Sequence, residues 1–344
     1  MNIVITGGGT GGHLSIAKAL AIKCLEFGHN VIYIGSMNGQ DKLWFLNSTL
    51  FERCYFLQTT GVVNKKGLNI LKSVYLQLKA IFSSIYILKK HEIQVVISVG
   101  GYSAGGASIA SVITKKKLFI HEQNAIFGSL NKILAPFAKS IFSSFNLNYK
   151  NLIKTNYPIS EEFFFHARIR KELKYLIFLG GSQGAIAINN FALSIAEELI
   201  ARGIKIIHQC GTNDFARVSK KYKSLGISEY IDLFDFRTDL YLKISKADFC
   251  VSRAGASSVW ELSANGLPSY FIPYPYAANN HQYYNASFLK DKGLCGLGIQ
   301  DELSIGKFFN YLDSIDLETI SKKLTKEISN NGAREIIELI HQKS

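Results

Sequence analysis

Cysteine is sparse and unpaired. The five cysteines, Cys24, Cys54, Cys210, Cys250 and Cys295, are odd in number, far apart and form no C-x-x-C pair. Neither a disulfide framework nor a zinc site is indicated, and a reducing compartment fits. No basic segment followed by an apolar one opens the chain, which argues against a secretory signal and for the cytosol. No window of about 20 residues reads as both charge-free and apolar enough to span a bilayer. Low-complexity tracts and short repeats are absent too. Acidic residues are few: 26 Asp+Glu against 39 Lys+Arg leave a formal net charge of +13. That excess favours an anionic partner such as nucleic acid, a phosphorylated substrate or a membrane surface. With 344 residues, 47% of them hydrophobic, the chain is long and apolar enough for roughly two folded domains.

Short β-branched runs, each followed by helix-period segments, recur along the chain. They centre on Ile3–Ile5, Val31–Ile34, Val95–Val99 and Leu118–Ile120, then on Leu176–Leu179, Ile204–Ile207, Tyr230–Leu233 and Phe249–Val251. Strands apolar throughout and alternating with helices imply parallel sheets covered on both faces. The expected fold is α/β, with two Rossmann-like doubly wound domains. Polar residues around Pro158 mark the hinge, giving domains 1–157 and 158–330 and a C-terminal helix, 331–344, able to pack on either.

Three glycine loops follow strands: Gly7-Gly8-Gly9-Thr10-Gly11-Gly12-His13, Gly100-Gly101-Tyr102-Ser103 and Gly180-Gly181-Ser182-Gln183-Gly184. Such loops let backbone N–H groups approach an oxyanion at a helix start. Gly7, Gly9 and Gly12 match G-x-G-x-x-G, but a dinucleotide site needs an acid at the end of the second strand. That strand ends Ile34-Gly35-Ser36, which weighs against a nicotinamide or flavin enzyme. A fourth segment, Ser252 to Glu261, offers small residues at a helix start, a fixed charge at Arg253 and a carboxylate at Glu261 suited to two ribose hydroxyls.

These motifs, with His121-Glu122-Gln123-Asn124 and the run Ser252 to Pro268, resemble in order and interval the MurG family of bacterial wall glycosyltransferases. The resemblance implies a GT-B enzyme, two domains facing a central cleft, with no catalytic metal and no cofactor. It implies inverting transfer of N-acetylglucosamine from UDP-N-acetylglucosamine to lipid I, giving lipid II. An epimerase acting on UDP-N-acetylglucosamine in the same framework is the alternative. By the resemblance, the donor side holds Ser182, Gln183, Arg253, Ala256, Ser257, Glu261, His281, Gln282 and Asn285, with the main chain around Arg237 reading uracil. The acceptor side holds Thr10, Gly11, Gly12, Tyr102 and Asn124. His13 is the expected base, with Glu122 as the competing carboxylate. His208, inside an apolar strand, reads as a core histidine. The chain departs from the family pattern at Ile16, at Gly105-Gly106 and at Ser160, where an arginine is usual and a hydroxyl cannot replace its fork.

Residues 61–90 carry Lys65, Lys66, Lys72, Lys79, Lys89 and Lys90 and no acid. Leu71, Val74, Leu78, Ile81, Ile85 and Leu88 form an apolar stripe along a helix, widened by Leu76, Phe82 and Ile87. A core helix explains the stripe; the one-sided charge and added width fit an anionic inner-membrane surface. The lysine excess lies outside the glycine loops and lacks the aromatic and arginine interleaving of nucleic-acid binders, so no nucleic acid is expected.

Overall fold

The computed structural model describes residues 1–61, 68–181 and 184–344. The chain divides into two compact units, Met1–Ser160 with Asn330–Ser344, and Glu161–Ser329.

In the first unit the strands are β1 (Asn2–Thr6), β2 (Asn30–Ser36), β3 (Arg53–Leu57), β4 (Val95–Ser98), β5 (Lys117–His121), β6 (Ser140–Ser143) and β7 (Leu152–Lys154). They form a seven-stranded sheet in the order β3-β2-β1-β4-β5-β6-β7, every pair parallel. The second unit has β8 (Tyr175–Leu179), β9 (Lys205–Gln209), β10 (Ile231–Phe234), β11 (Phe249–Ser252), β12 (Ser269–Phe271) and β13 (Cys295–Leu297). Its order is β10-β9-β8-β11-β12-β13, again parallel throughout. Strand order reverses between β1 and β4 and between β8 and β11. Each reversal opens a crevice at the carboxyl ends of those strands, where doubly wound sheets bind ligands.

The C-terminal helix Gly332–Lys343 lies in the first unit. Ile336, Ile337 and Ile340 are fully buried, and Glu335 Oε2 accepts from the Asn156 amide at 3.1 Å.

The basic apolar segment forms the helix Leu68–Lys90, and its stripe divides. Leu88 and Ile87 are buried and Ile81 and Ile85 half-buried, whereas Leu71, Val74, Leu78 and Phe82 are exposed, Phe82 to 70%. What faces inward over the first turns is small: Ser73, Ala80 and Ser84. They allow close approach to the helix Gly105–Ile113, where a Cβ added at Gly106 would lie 3.0 Å from Ala80 Cβ. The core-helix account therefore holds only near the C-terminal end. A further correction concerns the expectation of no bilayer-length segment. Ile70–Lys90 is long and apolar enough to cross a membrane, because its inner lysines, Lys72 and Lys79, are widely spaced. Lys65 and Lys66 lie outside the described residues.

The second unit is knitted by a buried arginine. Arg170, fully buried, donates to the carbonyls of Arg168, Ala247, Ile244 and Asn265 and to Asn265 Oδ1. Burial lowers its pKa to about 9, so it remains charged at neutral pH. Asn265 in turn donates to Phe163 O and His166 O at 3.1 and 3.0 Å. Arg170→Met should strand these acceptors and lower stability by on the order of 3 kcal/mol. In thermal unfolding that appears as a Tm lower by roughly 6–12 °C; a shift under about 2 °C would show that the network is dispensable.

Candidate active site

The loops after β1 and β4 interlock backbone to backbone. Gly8 N–H donates to Gly100 O at 3.2 Å. A Cβ at Gly7 would lie 2.4 Å from Gly100 O, and one at Gly101 2.3 Å from Gly8 O. Both positions also have positive φ, +123° and +79°, so glycine is required twice over.

Asp41, fully buried, clamps this arrangement. Oδ2 accepts from Gly9 N–H at 2.7 Å, and Oδ1 accepts from Ser36 N–H at 2.8 Å and the Tyr33 hydroxyl at 3.0 Å. Burial, then the Asp41 charge, push the Tyr33 phenol well above its ordinary range. Sequence reasoning missed Asp41; its signal was an acid soon after the second strand, where a cofactor-binding acid was sought and not found. Here the acid binds the loop itself.

Thr10 precedes the helix Gly11–Glu26 in extended conformation, without a side-chain capping bond, and the first turn, with Gly11 and Gly12, contains no acid to repel an anion. Tyr102 walls the loop: a Cβ at Gly9 would lie 2.5 Å from its Cε1, and its hydroxyl donates to Asn38 O at 2.9 Å. His13 lies 2.9 Å from Thr10 Oγ1 through Nδ1 and 2.9 Å from Gln123 Nε2 through Nε2.

Glu122 is committed elsewhere. It is buried, with Oε1 accepting from Asn124 N–H at 3.0 Å and Oε2 from Gly128 N–H at 2.9 Å and Asn131 Nδ2 at 2.8 Å. Burial raises its pKa and these bonds oppose the rise. Both oxygens of Glu122, expected as the carboxylate competing with His13 for the base, are thus engaged by the 124–131 segment. Asn131, not singled out from sequence, completes that network.

In the second unit, Ser182 and Gln183 lie outside the described residues. Around them, a Cβ at Gly184 would lie 2.4 Å from Cys210 O. Asn189, also missed, donates to Cys210 O and Asp214 Oδ2 at 2.9 and 2.7 Å and accepts from His208 Nε2 at 3.0 Å. His208 is a satisfied core histidine, and burial holds its pKa at about 3.

Arg253 follows β11. Its guanidinium donates to Ile272 O, Pro273 O and Gln300 Oε1 at 3.1, 3.0 and 2.7 Å and meets no carboxylate among the described residues. Burial lowers its pKa. Ala256 is buried at the start of the helix Ala256–Ala264, whose first turn also lacks an acid. Ser257 and Glu261 are half-buried on it. Burial raises the Glu261 pKa to about 7. Asn285 Nδ2 donates to Ala254 O at 3.2 Å, Gln282 Oε1 accepts from Tyr274 N–H at 2.9 Å, and His281 Nδ1 donates to Ala278 O at 2.8 Å. The Arg237 guanidinium is held by Asp239 at 2.6 and 2.7 Å.

Two doubly wound units, each with glycine or small-residue loops at its reversal point, define a GT-B fold. Comparison with known proteins narrows the class. Residues 3–143 match the glycosyltransferase family 28 N-terminal domain and residues 175–340 the family 28 C-terminal domain. The UDP-N-acetylglucosamine–N-acetylmuramyl-(pentapeptide) pyrophosphoryl-undecaprenol N-acetylglucosamine transferase of Helicobacter hepaticus is 54% identical over 98% of this chain and 97% of its own. Its Helicobacter pylori J99 counterpart is 52% identical over 99% of each. The crystal structure of Acinetobacter baumannii MurG superposes with a TM-score of 0.79 at 24% identity, covering 99% of each chain. A UDP-GlcNAc 2-epimerase from Neisseria meningitidis shares the fold, with a TM-score of 0.66 at 12% identity over 99% of this chain and all of that one. The chain belongs to the MurG family.

Asp41→Asn must set an amide N–H against one of the N–H groups it now accepts from. The expected result is a loss of about 1–3 kcal/mol in urea unfolding and faster hydrogen exchange at the Gly9 amide. Unchanged exchange would show that the loop holds without the clamp.

Proposed function

We propose that the protein transfers N-acetylglucosamine from UDP-N-acetylglucosamine to the 4-hydroxyl of the muramyl sugar of lipid I, forming lipid II for peptidoglycan synthesis. The observation that carries the reading is near-full-length identity above 50% to transferases bearing that name, joined to loops built for anions at both reversal points. Epimerases resemble the chain in fold alone, at 11–12% identity, far below that of the transferases, so transfer is favoured.

The second unit, 161–329, is assigned to the donor. Arg253, a guanidinium that meets no carboxylate among the described residues, and the N-terminus of Ala256–Ala264 stabilise the departing diphosphate. Glu261 accepts from the ribose hydroxyls, with Ser182, Gln183, Ser257, His281, Gln282 and Asn285 around the nucleotide sugar and the Arg237 main chain on uracil. The first unit is assigned to the acceptor, its pyrophosphate at Thr10, Gly11 and Gly12 with Tyr102 and Asn124 alongside. His13 takes the proton of the attacking hydroxyl as the bond from C1 to the diphosphate breaks.

The exposed face of Leu68–Lys90 is assigned to the cytoplasmic leaflet of the inner membrane, making the protein peripheral. Lys72 and Lys79 contribute about 1 kcal/mol each near an anionic surface. Leu71, Leu78 and Phe82 contribute an apolar term of comparable or larger size that salt does not screen.

The decisive assay combines pure protein, labelled UDP-N-acetylglucosamine and a short-chain lipid I analogue; disaccharide lipid is the expected product, and release of a free epimerised sugar would favour the alternative. His13→Ala should lower turnover by on the order of 10²–10⁴ with donor affinity kept. For Glu261, the raised pKa fixes a sign: below about pH 7 the carboxyl is protonated and loses its charge-assisted acceptor role. The donor KM should therefore rise as pH falls through 7, and Glu261→Gln should hold the high KM at every pH. A donor KM flat from pH 6 to 8 would remove Glu261 from the ribose. On anionic vesicles, Phe82→Ser with Leu78→Ser should weaken sedimentation even at low salt, whereas binding equal to wild type would make the face structural.

A further inference from the structure

The short helix Asp41–Phe45 carries more than the clamp on the first glycine loop. At about 100° per residue, Asp41 and Phe45 fall together on its inner side. Asp41 is fully buried against Gly9, and Phe45, also buried, packs edge-on to Tyr33 and Phe51 with ring centroids 4.7 and 5.0 Å apart. Trp44, Leu43 and then Leu46 run round the other way. Trp44 is half-buried, with Cζ2 3.7 Å from where a Cβ at Gly11 would stand, while Leu43 and Leu46 are 77% and 61% exposed. An apolar arc thus begins beside the start of Gly11–Glu26 and turns outward from it. Lys42, exposed, closes the arc with a positive charge. Gly11 itself has no positive φ, and an added Cβ would meet Gln40 Oε1 at 3.4 Å and Trp44 at ordinary contact distance. Packing among the described residues leaves room for a side chain there, and none is present.

We propose that this arc holds the first prenyl units of a lipid-linked acceptor, with Trp44 as the side chain that positions them. The inference rests on the reading of the first unit as the acceptor side and deepens it. A pyrophosphate at Gly11 and Gly12 is joined on one side to a sugar and on the other to a polyprenyl chain. The sugar side needs hydrogen-bonding partners, which Leu43 and Leu46 do not supply. The prenyl side needs an apolar surface directly beside the anion, and Trp44 is the side chain of the arc that reaches Gly11. Lys42 adds charge of the sign a pyrophosphate complements. Asp41, the one acid on the helix, has both oxygens engaged by donors of its own chain.

Tryptophan fluorescence of the full chain reads this site directly, because the chain has two tryptophans and Trp260→Phe leaves Trp44 as the sole one. Farnesyl diphosphate should shift Trp44 emission to the blue and saturate; inorganic pyrophosphate should reverse that shift by competition and cause none itself. Where Trp260→Phe fails to fold, the difference between wild type and Trp44→Phe carries the same signal. Trp44→Ala should raise the calorimetric Kd of farnesyl diphosphate about tenfold, and the KM of a farnesyl-linked acceptor analogue by a similar factor, with the donor KM within about twofold. Leu43→Ser, at a position 77% exposed, should leave Tm in place and still raise that Kd about threefold. No binding of farnesyl diphosphate, bound ligand with unmoved emission, an equal shift from inorganic pyrophosphate, or a Kd unchanged in both variants each overturns the assignment. So does the same shift on anionic vesicles free of prenyl ligand, which would put the helix in the bilayer surface instead. Disaccharide lipid formed without the shift overturns this inference and leaves the proposed reaction standing; the shift without that product keeps the prenyl site and overturns the reaction.

Discussion

The contact between two stretches of bare backbone, Gly7-Gly8 against Gly100-Gly101, is the constraint on which the first unit's chemistry depends. The loops leaving β1 and β4 sit closer than any side chain permits, since a Cβ at either end would lie under 2.5 Å from a carbonyl oxygen. That proximity sets the start of Gly11–Glu26 beside the reversal point and brings His13 up to the 121–124 segment. Asp41 secures it from beneath by accepting from Gly9, Ser36 and Tyr33. A buried carboxylate with every neighbour a donor is stable only while all the donors stay in place, so loop and clamp are one unit.

The second unit solves the same problem with different parts. Gly184 meets Cys210 O as Gly7 meets Gly100 O, and the tie runs from Tyr222 through His208 and Asn189 to Cys210 O, with Asn189 also donating to Asp214 Oδ2. That carboxylate is itself paired with Arg217, while Arg253 at the reversal point has only neutral acceptors among the described residues.

Most of the fold was legible because the central strands are apolar on both faces. Ile3–Ile5, Val95–Val99 and Leu176–Leu179 announce themselves by composition, and all three are buried. The strands left unread, β3, β6, β7, β12 and β13, lie toward the sheet edges and are short or mixed; Ser140–Ser143, for instance, has serines at both ends. At the site, glycine and histidine positions were visible because their chemistry is local. Asp41, Asn131, Asn189 and the bond from Gln123 to His13 were not, since each acts on a residue distant in sequence or through backbone N–H groups that carry no sequence signature. Glu122 was read by its type alone, and its bonds to Gly128 and Asn131 were hidden for the same reason.

Before its last turns, where Ile87 and Leu88 are buried, the helix Leu68–Lys90 inverts the usual pattern, small residues inward and large apolar ones outward, and the inversion has a local cause. Ser73, Ala80 and Ser84 let it lie against Gly105–Ile113, the helix that leaves the second glycine loop. Gln77 adds a polar tie, donating to Thr60 O at 2.9 Å and reaching Tyr102 O at 3.5 Å, and Tyr102 is the residue packed on Gly9. Bulky residues at 73, 80 and 84 would bury more apolar area but would lift the helix from Gly106 and loosen this chain of contacts. The apolar bulk is therefore displaced to the outer face, where it is unfavourable in water and favourable only against another apolar phase. Packing that holds the loop firmly and a surface that seeks a lipid boundary thus follow from the same three small side chains.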